Sequence, residues 1–344
     1  MKTRKHIYTT LIAFCLMQGV LKAQDINFSQ FYDVPMLRNA ALAGIFTGDV
    51  RLTSAYRNQW QAVTVPYRTI ALGVEIKKQV GASSDDFITF GVQATNDMAG
   101  DSRLSRTQVF PLINYHKSLG GDKSTYLSAG FMGGPVMQQF DPSKLSFDDQ
   151  FQHGSYSASN PTAQTFTNTR RTYLDPAVGL VFSSTAGENA NYYIGVGLFH
   201  FTKPKVAFQP QNDISLNPKY TLNAGLAAPT SDENTLIAYA DLFMQGGARQ
   251  VQGGLMLTHD LVQFDDEQKI AISGGMFYRL KDALIPVVKL DYKSTSIGIT
   301  YDLNTSKLRT ASQYRGGFEV TLSYKTAGNK HNSAADKVRC PRFF

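Results

Sequence analysis

From about residue 50 to residue 325 the chain alternates between apolar and small or polar positions with a period of two. Four runs show it plainly: Ile70-Ala71-Leu72-Gly73-Val74-Glu75-Ile76, Ile88-Thr89-Phe90-Gly91-Val92-Gln93, Ile297-Gly298-Ile299-Thr300-Tyr301-Asp302 and Phe318-Glu319-Val320-Thr321-Leu322-Ser323-Tyr324. Successive side chains of a strand point to opposite faces, so this pattern predicts strands with one apolar face. No long 3.6-residue period competes with it. The runs number about 14 and centre near residues 53, 72, 91, 111, 131, 178, 197, 223, 240, 254, 274, 288, 300 and 320. Many reach about ten residues, above the ~5–6 common in soluble strands and close to the ~9–11 that cross a bilayer.

The gaps between the runs are uneven. If the first strand rises from the periplasm, odd gaps lie outside and even gaps inside. The two longest gaps, Asp141–Arg171 and Lys203–Pro218, then both fall outside. Ser118–Lys123, Thr185–Asn191 and Thr230–Asn234 fall inside and are short. Long outer loops over short periplasmic turns are the mark of an outer-membrane barrel. The chain is therefore expected to be all-β, a closed antiparallel transmembrane barrel. Closure is obligatory because lipid cannot hydrogen-bond a free sheet edge. Tyr115, Tyr192, Tyr220, Tyr292 and Tyr324 near strand ends suit interfacial girdles, although ordinary β-propensity also places them there.

The first 23 residues have another character. Lys2, Arg4 and Lys5 precede a mostly apolar stretch, Ile7 to Val20, and Ala23 ends a cleavage-like Leu21-Lys22-Ala23. This reads as a signal peptide. A lipoprotein signal would need small residues before Cys15, and Phe14 stands there. The whole chain has 34 basic and 27 acidic residues. Four of the basic ones (Lys2, Arg4, Lys5, Lys22) lie in the signal, leaving 30 against 27, a net +3. No nucleic-acid footprint remains. Residues 24–48 do not alternate and are expected to form a plug or a periplasmic contact. The barrel is expected over 49–325, and a periplasmic tail over 326–344. Cys340 is the one thiol left beyond the signal, so no internal disulfide is expected.

No catalytic set emerges, and neither a cofactor nor a metal is expected. His116, His153, His200, His259 and His331 lack a ligand spacing. Asp148-Asp149 and Asp265-Asp266-Glu267 fall in gaps, where a solvated loop accounts for them. Gly195-Val196-Gly197 has no following helix, so it reads as room inside a barrel or a strand bend, not a phosphate loop. Trp60, with Arg57 and Asn58, is open to two readings. One is a recognition or plug contact at the barrel mouth; the other is a packed rim cluster in which Arg57 bonds local carbonyls. Cys340 beside Lys337, Arg339 and Arg342 is either a reactive thiol or an inert one in a short tail.

Asn27-Phe28-Ser29-Gln30-Phe31-Tyr32, Asn39-Ala40-Ala41-Leu42-Ala43-Gly44 and Tyr56-Arg57-Asn58-Gln59-Trp60 together resemble the opening of the PorP/SprF family of type IX secretion membrane proteins. Asp141-Pro142-Ser143-Lys144-Leu145-Ser146-Phe147-Asp148-Asp149-Gln150, His200 with Pro204, and the closing Cys340-Pro341-Arg342-Phe343 extend the likeness. Ala40 departs from it, because the family usually has Pro there. The resemblance implies an outer-membrane component of the type IX secretion and gliding machinery of Bacteroidota. It would work with periplasmic ring or peptidoglycan-binding proteins, or with cargo and adhesin C-terminal domains. Tyr56, Arg57, Asn58, Gln59, Trp60, Cys340, Pro341, Arg342 and Phe343 become the candidate partner-binding residues. Two other classes stay open: a passive porin or uptake channel, favoured by an open charged lumen, and a soluble glycan-binding protein, which needs a polar outer face.

Overall fold

The computed structural model describes residues 25–61, 65–81, 85–119, 124–187, 189–209, 212–262, 270–307 and 309–326. The expected signal peptide and the Cys340-Pro341-Arg342-Phe343 end lie outside these residues.

The strands are β1 (Val50–Gln59), β2 (Tyr67–Gln79), β3 (Phe87–Ala99), β4 (Leu104–Ser118), β5 (Tyr126–Gln139), β6 (Phe151–Gln152), β7 (Ser155–Tyr156), β8 (Arg170–Ala186), β9 (Ala190–Phe199), β10 (Lys219–Pro229), β11 (Asn234–Gln245), β12 (Ala248–Val262), β13 (Ile270–Arg279), β14 (Ala283–Tyr292), β15 (Thr295–Asn304) and β16 (Arg315–Lys325). All but β6 and β7 form one closed barrel of 14 antiparallel strands. Each of the 14 centres read from the sequence lies inside one of them. β5 pairs with β8 across a long loop, and β1 closes on β16 with Arg51 opposite Lys325. β6 and β7 form a small hairpin within that loop.

The period of two becomes two surfaces. On β2, Ile70, Leu72, Val74 and Ile76 are exposed outward, while Thr69, Ala71 and Glu75 are buried in the lumen. A surface of exposed Leu, Val, Ile and Phe continues around the barrel. In water this would be an aggregation surface; in a bilayer it is the required contact. The chain is accordingly an outer-membrane barrel, and a soluble protein with a polar outer face is ruled out.

Val50 and Lys325 mark one rim, called the near rim. The two longest connections, residues 140–169 and 200–218, emerge at the opposite, far rim. The near rim takes only the brief links 80–86, 119–125, 187–189, 230–233, 263–269 and 293–294. By the loop rule the near rim is periplasmic and the far rim extracellular. Thr326 donates its N–H to the Val50 carbonyl at 3.0 Å and accepts Val50 N–H at 3.1 Å, tying off the seam.

The lumen is not empty. Residues 25–49 run through it from the far rim to the near rim, folded as three 3-10 turns, Phe31–Asp33, Pro35–Leu37 and Ala40–Leu42. Nearly every described residue from Phe28 to Phe46 is buried.

Candidate functional site

A filled lumen poses a physical problem: polar backbone, charged wall and no bulk water. The segment solves it with ion pairs and backbone bonds contributed by strands far away in sequence.

At the far mouth, Asp25 receives Arg106 of β4 and Lys219 of β10, the latter at 2.8 Å. His200, in the loop after β9, sits with Nε2 3.4 Å from Asp25, and its Nδ1 bonds Asp175 at 2.7 Å. Burial opposes the charged imidazole, but the two carboxylates outweigh it, so His200 holds its proton above the usual pH range.

A second anchor faces it across the lumen. The Glu319 carboxylate accepts the backbone N–H of Ser29 and Gln30, each at 2.7 Å. Arg57 donates to Asp302 at 2.7 Å and to the Asn27 carbonyl. Ser29 Oγ donates to Asp302 at 2.6 Å and accepts from Arg279 at 2.6 Å. Arg57 and Glu319 are direct cross-strand partners of β1 and β16, so the barrel seam itself holds this clamp.

Midway, Arg38 forms a two-pronged pair with Asp241 at 2.7 and 2.8 Å. Its guanidinium lies 4.9 Å from the Phe31 ring centroid. Phe31 and Tyr32 pack on Tyr239 and Phe277 at centroid distances of 5.2–6.2 Å. Lys289 reaches Asp33 at 2.7 Å. Lower down, Asn114 donates to the carbonyls of Ala41 and Ala43. Glu75 accepts from Gly44 N at 2.8 Å and is paired with Arg51. These are fully buried, hydrogen-bonded pairs, and removing one member of such a pair costs about 3–5 kcal/mol.

Glycines give the segment its room. A Cβ on Gly130 would stand 2.5 Å from the carbonyl carbon of Ala40, and one on Gly179 would stand 1.8 Å from Asn39 Oδ1. Gly195 and Gly197 also face Asn39, as expected of room inside a barrel. The space left beside the segment at the mouth, near Ile26, Phe28 and Phe243, is a cavity of about 40 Å³, room for a few waters.

Of the residues singled out in sequence, Arg57 alone among Tyr56–Trp60 is bonded to the lumenal segment. Tyr56 points the other way, 5.8 Å from Phe318. Asn58 is buried opposite Phe318 of β16, and Trp60 turns the chain at the far rim with φ +64° and its N–H on Gly316 O. His116 is buried between Thr89 and Ser128. Asp149 accepts from Thr162 and Ala163 within its own loop. Among the described residues no group of three or more His, Cys, Asp or Glu is placed to hold a metal. Sequence reasoning missed Glu319, Asp302, Asp241 and Arg106. One signal was available: a charge on the inward face of a membrane strand needs a partner.

Fold and lumen together define a plugged antiparallel barrel of the outer membrane. The chain belongs to a family described as type IX secretion system membrane protein PorP/SprF, which matches residues 20–324. No curated protein is similar enough in sequence to count as a relative. A Pseudomonas aeruginosa FadL homologue is similar in structure at a TM-score of 0.49 and 9 % identity, covering 85 % of this chain and 94 % of that one. The Ralstonia pickettii toluene transporter TbuX gives 0.47 and 9 %, covering 85 % and 92 %. The translocator domain of the autotransporter NalP from Neisseria meningitidis gives 0.40 and 12 %, covering 81 % and 89 %.

Proposed function

We propose that this type IX secretion component works by docking, not by conduction or catalysis. It supports secretion or surface anchoring of large cargo or adhesin proteins, which its far-rim loops and mouth receive, while the tail meets periplasmic partners. The observation that carries this reading is the lumen filled by residues 25–49 and held there by buried ion pairs. A porin needs an open, hydrated path, and here residues 25–49 lie along the lumen from one rim to the other, nearly all of Phe28 to Phe46 buried. The long loops supply the contact surface instead. Phe151 and Tyr156 of the β6–β7 hairpin are exposed at 59 % and 47 %, and aromatic residues are enriched among interface anchors.

Deleting residues 146–166 should leave a barrel that still migrates as a heat-modifiable band in the outer membrane but no longer supports cargo secretion or display. Removing residues 337–344 should likewise spare insertion and weaken partner association. Purified protein in a planar bilayer should show no steady conductance. Steady ion flux, with secretion intact after the loop deletion, would favour the uptake-channel reading and end the docking one.

A further inference from the structure

The lipid-facing wall is not smooth. Across β3, β4, β5, β8, β9 and β10 a depression of about 610 Å³ crosses the outer surface. One border is the cross-strand row Ile88, Tyr115, Ala129, Leu180, Val196; the other is Ile113, Phe131, Val178, Leu198, Tyr220. Between them runs the inward row Gly130–Gly179–Gly197, paired side by side on three adjacent strands. These glycines have no side chain, so the wall draws in against Ala40 and Asn39 of the lumenal segment. Ala129, short between Tyr115 and Phe131, deepens the outer face at the same place. Six strands at a spacing of ~4.8 Å make the groove about 24 Å long.

Its near-rim end is polar. Tyr115 and Lys117 both donate to Asp86, at 2.6 and 2.9 Å, which holds Tyr115, one of the groove's lining residues, at the rim. Lys117 is more than half exposed. On the other side of Ile88 stands Lys78, exposed and in the same cross-strand row. Lys78 and Lys117 thus present two ammonium groups beside Asp86 and its neighbour Asp85, at the level where zwitterionic phospholipid headgroups lie.

We propose that this groove binds one glycerophospholipid of the periplasmic leaflet, with its phosphate between Lys78 and Lys117 and an acyl chain along the glycine-floored depression. Lipid tails are as apolar as the wall, so transfer from water contributes nothing here. Selectivity comes from shape and from the two lysines. A smooth barrel wall offers neither.

Native mass spectrometry of the intact barrel, released from mild detergent, tests this with three probes: phosphatidylethanolamine, a matched diacylglycerol without phosphate, and lipid A. The barrel should retain one phosphatidylethanolamine through detergent exchange. Ala129→Trp, which fills the groove, should lower retention about tenfold. The Lys78→Ala/Lys117→Ala pair should lower it several-fold and leave diacylglycerol retention unchanged. That rim pair sits on an exposed face, so it reports on binding even if Ala129→Trp assembles poorly. Equal retention of phospholipid and diacylglycerol by the unaltered barrel would overturn the proposal. So would equal phospholipid retention by all variants, or preferential retention of lipid A.

Discussion

Residues 25–49 and residues 140–169 are the two longest described stretches without barrel strands, and they make opposite use of similar material. Each holds short 3-10 turns and several aromatic residues. The lumenal segment finds its partners in the wall: Glu319, Asp302, Asp241, Lys289, Glu75. The outer loop finds most of its polar partners in itself. Ser143 bonds Asp141, Asn160 bonds Gln150, and Ala163 bonds Asp149. Its main tie elsewhere is apolar, Phe140 against Phe208 at 4.9 Å. The difference lies in where the partners come from. A segment whose charges are matched by the wall is part of the barrel's core. A segment that satisfies itself leaves its outer aromatics free for another molecule.

The largest expected effect comes from breaking a wall anchor. Arg57→Ala removes the cation shared by Asp302, Glu319 and the Asn27 carbonyl. Buried Glu319 then loses its cation and Asp302 keeps only Arg279, at 3.3 Å, at a cost of about 3–5 kcal/mol. The denaturant midpoint of the detergent-solubilised barrel should fall accordingly. If it does not move, the lumenal segment is a passenger and the contrast with the loop collapses.

Gly130→Ala should come next. Its Cβ would meet Ala40 backbone, which has no flexible end to swing aside, so the segment or the strand must shift. Overpacking of this kind costs about 1–3 kcal/mol. The same midpoint measurement checks it. Gly154→Ala, in the outer loop where a Cβ would meet nothing within 4 Å, serves as its counterpart. There only the positive φ of +84° resists the substitution.

These two sites also mark the limit of what the sequence displays. The 14 strands were legible because the bilayer imposes an apolar residue at every second position, a rule that acts on each strand alone. The lumenal segment was visible as a stretch that does not alternate, with no sign of which side of the wall it occupies. Its partners Asp241 and Glu319 lie about 200 and 290 residues downstream. An inward Glu paired with a plug reads the same, strand by strand, as an inward Glu lining a pore. Arg57 drew notice as part of a polar-aromatic cluster. Its pairing depends on the β1–β16 register, which exists only once the barrel closes.

A smaller effect should appear with pH. His200 is held protonated by Asp175 and Asp25, so its folded pKa stands above that of the unfolded chain. Its contribution is present in full below about pH 6.5, the unfolded value, and is lost as pH rises through the folded value. Stability should therefore decline on the alkaline side more in the unaltered protein than in His200→Gln. Thermal midpoints from pH 5 to 9 read this directly. Parallel curves would mean that the far-mouth anchor rests on Arg106 and Lys219 alone.

The smallest effect belongs to the outer loop's own charges. Asp149 accepts from Thr162 Oγ1 at 3.0 Å and Ala163 N at 2.6 Å, all on exposed residues of one loop. Asp148 and His153 are likewise exposed. Water replaces such bonds at little cost, and exposed substitutions of this kind stay within about 0.5 kcal/mol. The triple change Asp148→Ala, Asp149→Ala, His153→Ala should leave the midpoint unmoved. Under the proposed docking it should also leave cargo display unchanged, because that proposal places the contact on the exposed rings of Phe151 and Tyr156. Lost display from a barrel of unaltered stability would show that the loop's acidic pair makes the contact. The charged groups of the outer loop would then serve binding as those of the lumenal segment serve the fold.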